Sequence, residues 1–237
     1  MINAIMGRRP EPTPRPPYPT ERGLFGMPTV VNNVETLASV PWIIEHGGDK
    51  YAEMGYNKSR GTKVLSLNSL FERPGLYEVE FGVPLKEVVY DMGGGLKGGR
   101  RLKGVIVGGP LASFIRPEEL DVRLGVEELR EIGASLGHGN VIAFSDDTSL
   151  LELLHEIVHF AAFESCGKCF PCRLGTARAD EILEAALGRG YLTPEEADEL
   201  KSMATVMRSA SLCGHGQGTG DAILSFLTKG ADEMVRG

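Results

Sequence analysis

Residues 164–175 read ESCGKCFPCRLG, and residues 211–218 read SLCGHGQG. Cys166, Cys169 and Cys172 are each separated by two residues, and the fourth cysteine, Cys213, stands far downstream. Zinc ribbons usually present two separated cysteine pairs, because a tetrahedral ion is conveniently held between two knuckles. Here three thiolates arrive from one tight loop and the fourth from another. That suits a cubane, in which one compact loop addresses three iron corners and a second segment closes the fourth. Gly167 and Pro171 shape the loop, and Lys168 and Arg173 put positive charge beside it. Gly214, Gly216 and Gly218 allow close backbone approach and N–H donors near Cys213. The residues alone favour a [4Fe-4S] cluster, with a structural four-thiolate zinc site or free redox cysteines as alternatives.

Outward from the cysteines, composition narrows the class. The chain has 237 residues, with 25 basic and 32 acidic side chains and a formal net charge of −7, which argues against a general nucleic-acid binder. No apolar run reaches the ~20 residues of a membrane span and no charged-then-apolar leader precedes one, so no direct membrane insertion and a cytoplasmic location are expected. Hydrophobic residues make up 42% and charged residues 24%, the balance of a folded globular chain.

Three segments differ in texture, and they are expected to be three domains: 1–60, 61–146 and 147–237. Residues 8–28 (RRPEPTPRPPYPTERGLFGMP) cannot be helix, because proline fixes its own φ and biases the preceding residue to extended geometry. They read as a polyproline-like arm laid on a surface, with Tyr18, Leu24 and Phe25 as its contacts. Val34, Leu37, Ala38 and Ile44 have helical spacing, with Pro41 as a kink or junction. From 62 to 70 apolar and polar residues alternate, Glu72-Arg73-Pro74-Gly75 is a turn signal, and 76–81 alternates again, predicting a hairpin. Residues 84–92 predict a short helix stopped by Gly93, and 104–107 and 141–144 predict further strands. Two strands, a helix and two strands suggest a ubiquitin-like β-grasp module. Beyond 147 all is helical: Ser149 and Glu152 fit a capping box, a second helix is expected from Arg173 to Leu187, Thr193-Pro194-Glu195-Glu196 opens a third, and a fourth follows Asp221. The expected fold class is α+β, the β-grasp module preceding a helical bundle that carries the cluster.

The two cysteine segments strongly resemble the iron–sulfur domain of the NADH-oxidising flavoprotein subunits: those of complex I, NAD-dependent formate dehydrogenases and NAD-reducing hydrogenases. PPYPTERGLFGMPTVVNNVETLASVPWI (16–43) is similar to the same family's flavin-domain exit, and the resemblance covers nearly the whole chain. GGPLASF (108–114) and LGHGNVIAF (136–144) look more like the soluble formate dehydrogenase and hydrogenase relatives than complex I. The resemblance implies that Cys166, Cys169, Cys172 and Cys213 ligate a [4Fe-4S] cluster that takes electrons from reduced FMN. It implies FMN contacts at Asn32, Asn33 and Thr36, and an NADH-facing cation and ring at Arg15 and Tyr18. An amide pair can bond a flavin's polar edges and an aromatic ring can stack on nicotinamide, although helix capping and simple packing explain the same residues. The implied partners are other subunits of a multi-subunit oxidoreductase, among them a [2Fe-2S] thioredoxin-like subunit and a larger iron–sulfur subunit. The family's flavin domain carries a GRGGAGFP loop that grips FMN phosphate, and no such loop occurs here. FMN and NAD(H) binding is therefore expected only with a flavin domain supplied by a longer form of the chain or by another polypeptide.

Two motifs point elsewhere. His155-Glu156-Ile157-Val158-His159 fits the HExxH zinc-protease pattern, with both histidines on one helical face. The extended form would need Gly at 162 and His at 165, where Ala162 and Ser165 stand, and Glu181 or Glu184 are only loose candidates for a third ligand. An amphipathic helix with packed or solvated histidines is the expectation. Gly93-x-Gly95-x-x-Gly98 matches the dinucleotide fingerprint formally, but a short helix precedes it and a strand follows, so it is expected to be a loop. Together the sequence leads to an electron-transfer subunit of an NADH dehydrogenase type, with a zinc-stabilised assembly module and a zinc protease as alternatives.

Overall fold

The computed structural model describes residues 1–237. The proline-rich arm is extended and irregular as far as Asn33, apart from short helical turns at Ile2–Ile5 and Leu24–Gly26. Helix α1 (Val34–His46) follows, capped by Asn33, whose side chain accepts from the Glu35 N–H at 3.3 Å. The helix continues through Pro41 instead of ending there; the missing proline N–H leaves the Leu37 carbonyl without its usual donor. None of its residues is buried, and Val34 and Ile44 are both more than three-quarters exposed.

Five strands form a mixed sheet in the order β2-β1-β5-β3-β4: β1 (Thr62–Leu67), β2 (Gly75–Glu80), β3 (Leu102–Val107), β4 (Phe114–Ile115) and β5 (Asn140–Ser145). β1 and β2 are the expected antiparallel hairpin, with Thr62 opposite Glu80 and Leu67 opposite Gly75. β1 runs parallel to β5, and β3 runs antiparallel to both β5 and β4. Between the hairpin and β3 lies the expected short helix, Leu85–Glu87, which widens into a π-helical turn at Val88–Met92. Gly93 to Leu96 continue from it as a loop, and a 3-10 turn at Lys97–Gly99 leads into β3.

The end of β3 is buried on both faces, which is why Gly104–Val107 read as a continuous apolar run and not an alternating one. Val105 and Val107 join Leu65, Phe71, Leu85, Val88 and Val141 in one core. Ile106 turns the other way and, with Phe114, enters a second core made mainly by helices. These are α2 (Leu150–Phe163), α3 (Phe170–Arg189), α4 (Pro194–Ala210) and α5 (Gly214–Lys229). Phe114 and Phe226 meet with ring centroids 5.2 Å apart, and the Phe114 N–H donates to Ser225 Oγ at 3.0 Å, so the sheet is fastened directly to α5.

α2 begins where expected, its Ser149 cap accepting from the Glu152 N–H, and α4 has the full reciprocal capping box of Thr193 and Glu196. Two helix starts differ from expectation. α3 begins at Phe170, three residues early, with Pro171 in its first turn, where a missing N–H costs nothing. α5 begins at Gly214, seven residues early, so its run of glycines is helical. Packing overrides their low propensity: a Cβ on Gly220 would lie 2.6 Å from the Ala204 carbonyl oxygen, so only glycine lets α5 approach α4 so closely.

Candidate metal centre

Both corrected helix starts place a cysteine at an N-cap. Cys169 caps α3 and Cys213 caps α5, while Cys172 lies buried in the first turn of α3. The first N–H groups of a helix have no intrahelical partner and carry the positive end of its dipole. Two such ends therefore converge on the cysteines, a setting that offsets the negative charge of a thiolate-bound cluster.

All four cysteines line one cavity of about 190 Å³, together with Pro10, Pro12, Lys168 and His215. That space equals roughly six water molecules at about 30 Å³ each. The four thiols around it match the four iron corners of a cubane in number. Burial pushes the Cys172 thiol pKa up; the Ser165 hydroxyl at 3.4 Å opposes this, and Cys169, Cys213 and Cys166 add to it. The Ser211 hydroxyl is buried without a partner. A Cβ on Gly216 would lie 2.3 Å from Ser211 Oγ and 2.8 Å from Cys172 Cβ, so glycine keeps this wall thin. An orphan hydroxyl beside the cysteines is a donor available to cluster sulfur.

The arm completes the enclosure. Arg9 Nη2 donates to the Cys166 carbonyl oxygen at 2.6 Å, and Lys168 Nζ donates to Glu11 at 2.8 Å. His215 Nε2–H donates to the Ala161 carbonyl oxygen at 2.8 Å, tying α5 to the end of α2. Arg9, Glu11 and Ser211 are not evident from sequence, where nothing local joins the arm to the cysteine loop.

The other candidate residues are more dispersed. The Arg15 guanidinium lies 5.8 Å from the centroid of the Tyr18 ring, so these two are neighbours. A second cavity, of about 650 Å³, is lined by Arg15 and Val31 on one side and Cys213 and Gly214 on the other. Asn32, Asn33 and Thr36 are exposed and line none of the main cavities. Glu35, which no sequence signal singles out, clamps α1 to β1: it accepts from the Val64 N–H at 2.8 Å and pairs with the buried Lys63 ammonium. His155 and His159 both reach Asp180 on α3, not Glu181 or Glu184.

Residues 152–237 match the family of the NADH-ubiquinone oxidoreductase-F iron–sulfur binding region. The chain matches the C-terminal part of the NADH-oxidising flavoprotein subunit family. It is 37% identical over 233 residues to HndC, a component of the NADP-reducing hydrogenase of Solidesulfovibrio fructosivorans, a match covering 98% of this chain and 47% of that protein. It is 38% identical over 236 residues to the corresponding component of the NADH-quinone oxidoreductase of Mycobacterium tuberculosis, covering 99% of this chain and 52% of that one. Among solved structures, a chain of an NAD⁺-reducing [NiFe]-hydrogenase in the H2-reduced state superposes with a TM-score of 0.87 at 33% identity. That match covers 98% of this chain and 39% of the other. The chain thus spans about half the length of the curated relatives it matches. No helix in it is long and apolar enough to cross a membrane.

Proposed function

We propose that this chain is the cluster-bearing part of an electron-transfer subunit of an NADH dehydrogenase-type oxidoreductase. In this reading Cys166, Cys169, Cys172 and Cys213 hold a [4Fe-4S] cluster. The observation that carries it is the convergence of four cysteines, two of them helix N-caps, on one cavity of about 190 Å³. A bound [4Fe-4S] cluster supplies one-electron acceptance and release, which joins a two-electron hydride carrier to single-electron partners. The chain's own contribution is to hold the cluster, offset its negative charge with helix N-termini, Lys168 and Arg173, and cover it with the arm.

FMN and NAD(H) would bind jointly with a flavin domain, FMN against Asn32, Asn33 and Thr36 and NAD(H) along Arg15 and Tyr18. The cavity shared by Arg15, Val31 and Cys213 supports the nucleotide part of this reading, since it runs from the arm to the fourth cysteine. Residues 61–146 would be a ubiquitin-like β-grasp module, supported by a mixed sheet in which β1 and β5 run parallel beside a hairpin and a short helix. The arm with α1 (1–60) and the helical iron–sulfur domain (147–237) complete the division. The partners would be a [2Fe-2S] thioredoxin-like subunit and a larger iron–sulfur subunit. A cytoplasmic hydrogenase-like or formate dehydrogenase-like complex is favoured over complex I, on the GGPLASF and LGHGNVIAF segments.

The test is metal analysis of the chain purified without oxygen. Iron and acid-labile sulfide in equal amounts, with a broad visible absorbance that bleaches on reduction, are expected. Stoichiometric zinc in the four-cysteine site, without sulfide, would instead establish the assembly-module alternative.

A further inference from the structure

His155 and His159 are one helical turn apart on α2 and point to the same side, their ring centroids 5.6 Å apart. Across from them on α3 stands Asp180. Its carboxylate lies 3.3 Å from His155 Nε2 and 3.0 Å from His159 Nδ1, and one donor atom from each residue falls within 4.8 Å of the others. Two donors bound to one tetrahedral zinc at about 2.0–2.1 Å are separated by roughly 3.3 Å. Asp180 already stands at that spacing from both histidines, and a small side-chain shift would draw the three donors, now within 4.8 Å of one another, around one ion.

We propose that His155, His159 and Asp180 form a surface site for one divalent transition-metal ion of the zinc class, with water in the remaining position. Two imidazoles and a carboxylate select zinc, nickel or copper over magnesium and calcium, which prefer all-oxygen sets. His155 and Asp180 are mostly buried, so two ligands are preorganised, while His159 is 62% exposed and leaves a way in for the ion. Exposed carboxylates on the same helices, Glu152 and Glu156 on α2 and Glu184 on α3, make the surroundings acidic. The site uses none of the cysteines. It matches the HExxH pattern in its two ligands, but neither histidine borders a main cavity that could take a peptide.

The position gives the ion a structural consequence. α2 ends at Phe163 and α3 begins at Phe170, and the segment between them carries Cys166 and Cys169. An ion joining the two helices would brace the hairpin that presents three of the four cysteines.

The test is equilibrium dialysis of the full chain, with its cluster in place, against micromolar zinc chloride, followed by zinc, iron and sulfide analysis. One zinc per chain is expected, with iron unchanged and a rise in melting temperature. His159→Ala, at an exposed position, and Asp180→Asn should each weaken zinc retention by about tenfold or more while leaving iron and circular dichroism unchanged. No zinc retained, retention equal in both variants and the parent, or zinc gained only as iron is lost would each overturn the site.

Discussion

Glu11 and Lys168 are 157 residues apart in sequence, yet the Lys168 ammonium donates to the Glu11 carboxylate at 2.8 Å. That hydrogen bond is the main cause holding the Glu11 carboxyl below its ordinary pKa. With the Arg9 bond to the Cys166 carbonyl oxygen, it pins the arm over the cysteine loop. A single ion pair that water still reaches adds little to global stability. Its effect should be local, on access to the cluster. The double variant Arg9→Ala, Glu11→Gln is expected to bind as much iron as the parent but to release it to a chelator several-fold faster, with little change in melting temperature. Equal release rates would show that the arm does not guard the site.

The glycines of α5 separate close packing from helix propensity. A Cβ on Gly216 would fall 2.3 Å from Ser211 Oγ and 2.8 Å from Cys172 Cβ, while one on Gly214 meets nothing within 4 Å. Gly216→Ala should therefore destabilise the fold by about 1–3 kcal/mol, as overpacking does, and lower iron content by displacing Cys172. Gly214→Ala should be neutral or stabilising by up to about 1 kcal/mol. Thermal denaturation and iron analysis of the two variants side by side check this.

These same glycines mark the limit of what sequence reveals. Signals that depend on neighbours in the chain are legible: the Thr193 capping box, the hairpin turn at 72–75 and the alternation in β1 all occur as expected. The spacing of the four cysteines likewise indicates a shared centre, and they line one cavity. What cannot be read depends on partners distant in sequence. His-Gly-Gln-Gly-Thr-Gly has poor intrinsic helix propensity and is helical because α4 accepts its bare backbone. Asp180 looks like any surface carboxylate until α2 and α3 pack side by side. Glu35 carries no signal of its own in the sequence, whereas in the fold it is the clamp between α1 and β1.

Cys213 is the one cysteine contributed by the second loop, and it caps α5 without being buried in the helical core. Replacing it should disturb the metal centre far more than the fold. Cys213→Ser is expected to leave three thiolates and give either a labile three-iron form or loss of iron, with the far-ultraviolet spectrum unchanged. Iron and sulfide analysis, with electron paramagnetic resonance of the oxidised protein, reads the outcome. Iron content equal to the parent's would place the fourth ligand elsewhere.

The clamp at Glu35 makes a pH prediction with a definite sign. Burial alone would raise the Glu35 carboxyl, but the Lys63 hydrogen bond, the Val64 N–H and the Lys63 charge together hold it below its ordinary value of 4.5. A carboxyl with a depressed folded pKa binds fewer protons folded than unfolded, so stability rises with pH across that interval. Its contribution is complete above pH 4.5 and is lost as pH falls through the lower folded value. Trp42, the single tryptophan, sits on α1 and lines a groove of about 710 Å³ with Val64 and Leu76, so its fluorescence reports whether α1 stays on the sheet. In the parent, α1 should loosen as pH is lowered below 4.5, before the rest of the fold unfolds. Glu35→Gln keeps the shape but removes the charge opposite the buried Lys63 ammonium, at a cost of about 2 kcal/mol, the scale of a charge-assisted hydrogen bond. Its α1 should already be loosened at pH 7, and the acid transition of the parent should be missing from its fluorescence. A Trp42 transition of the same midpoint in both proteins would mean that another group fastens α1.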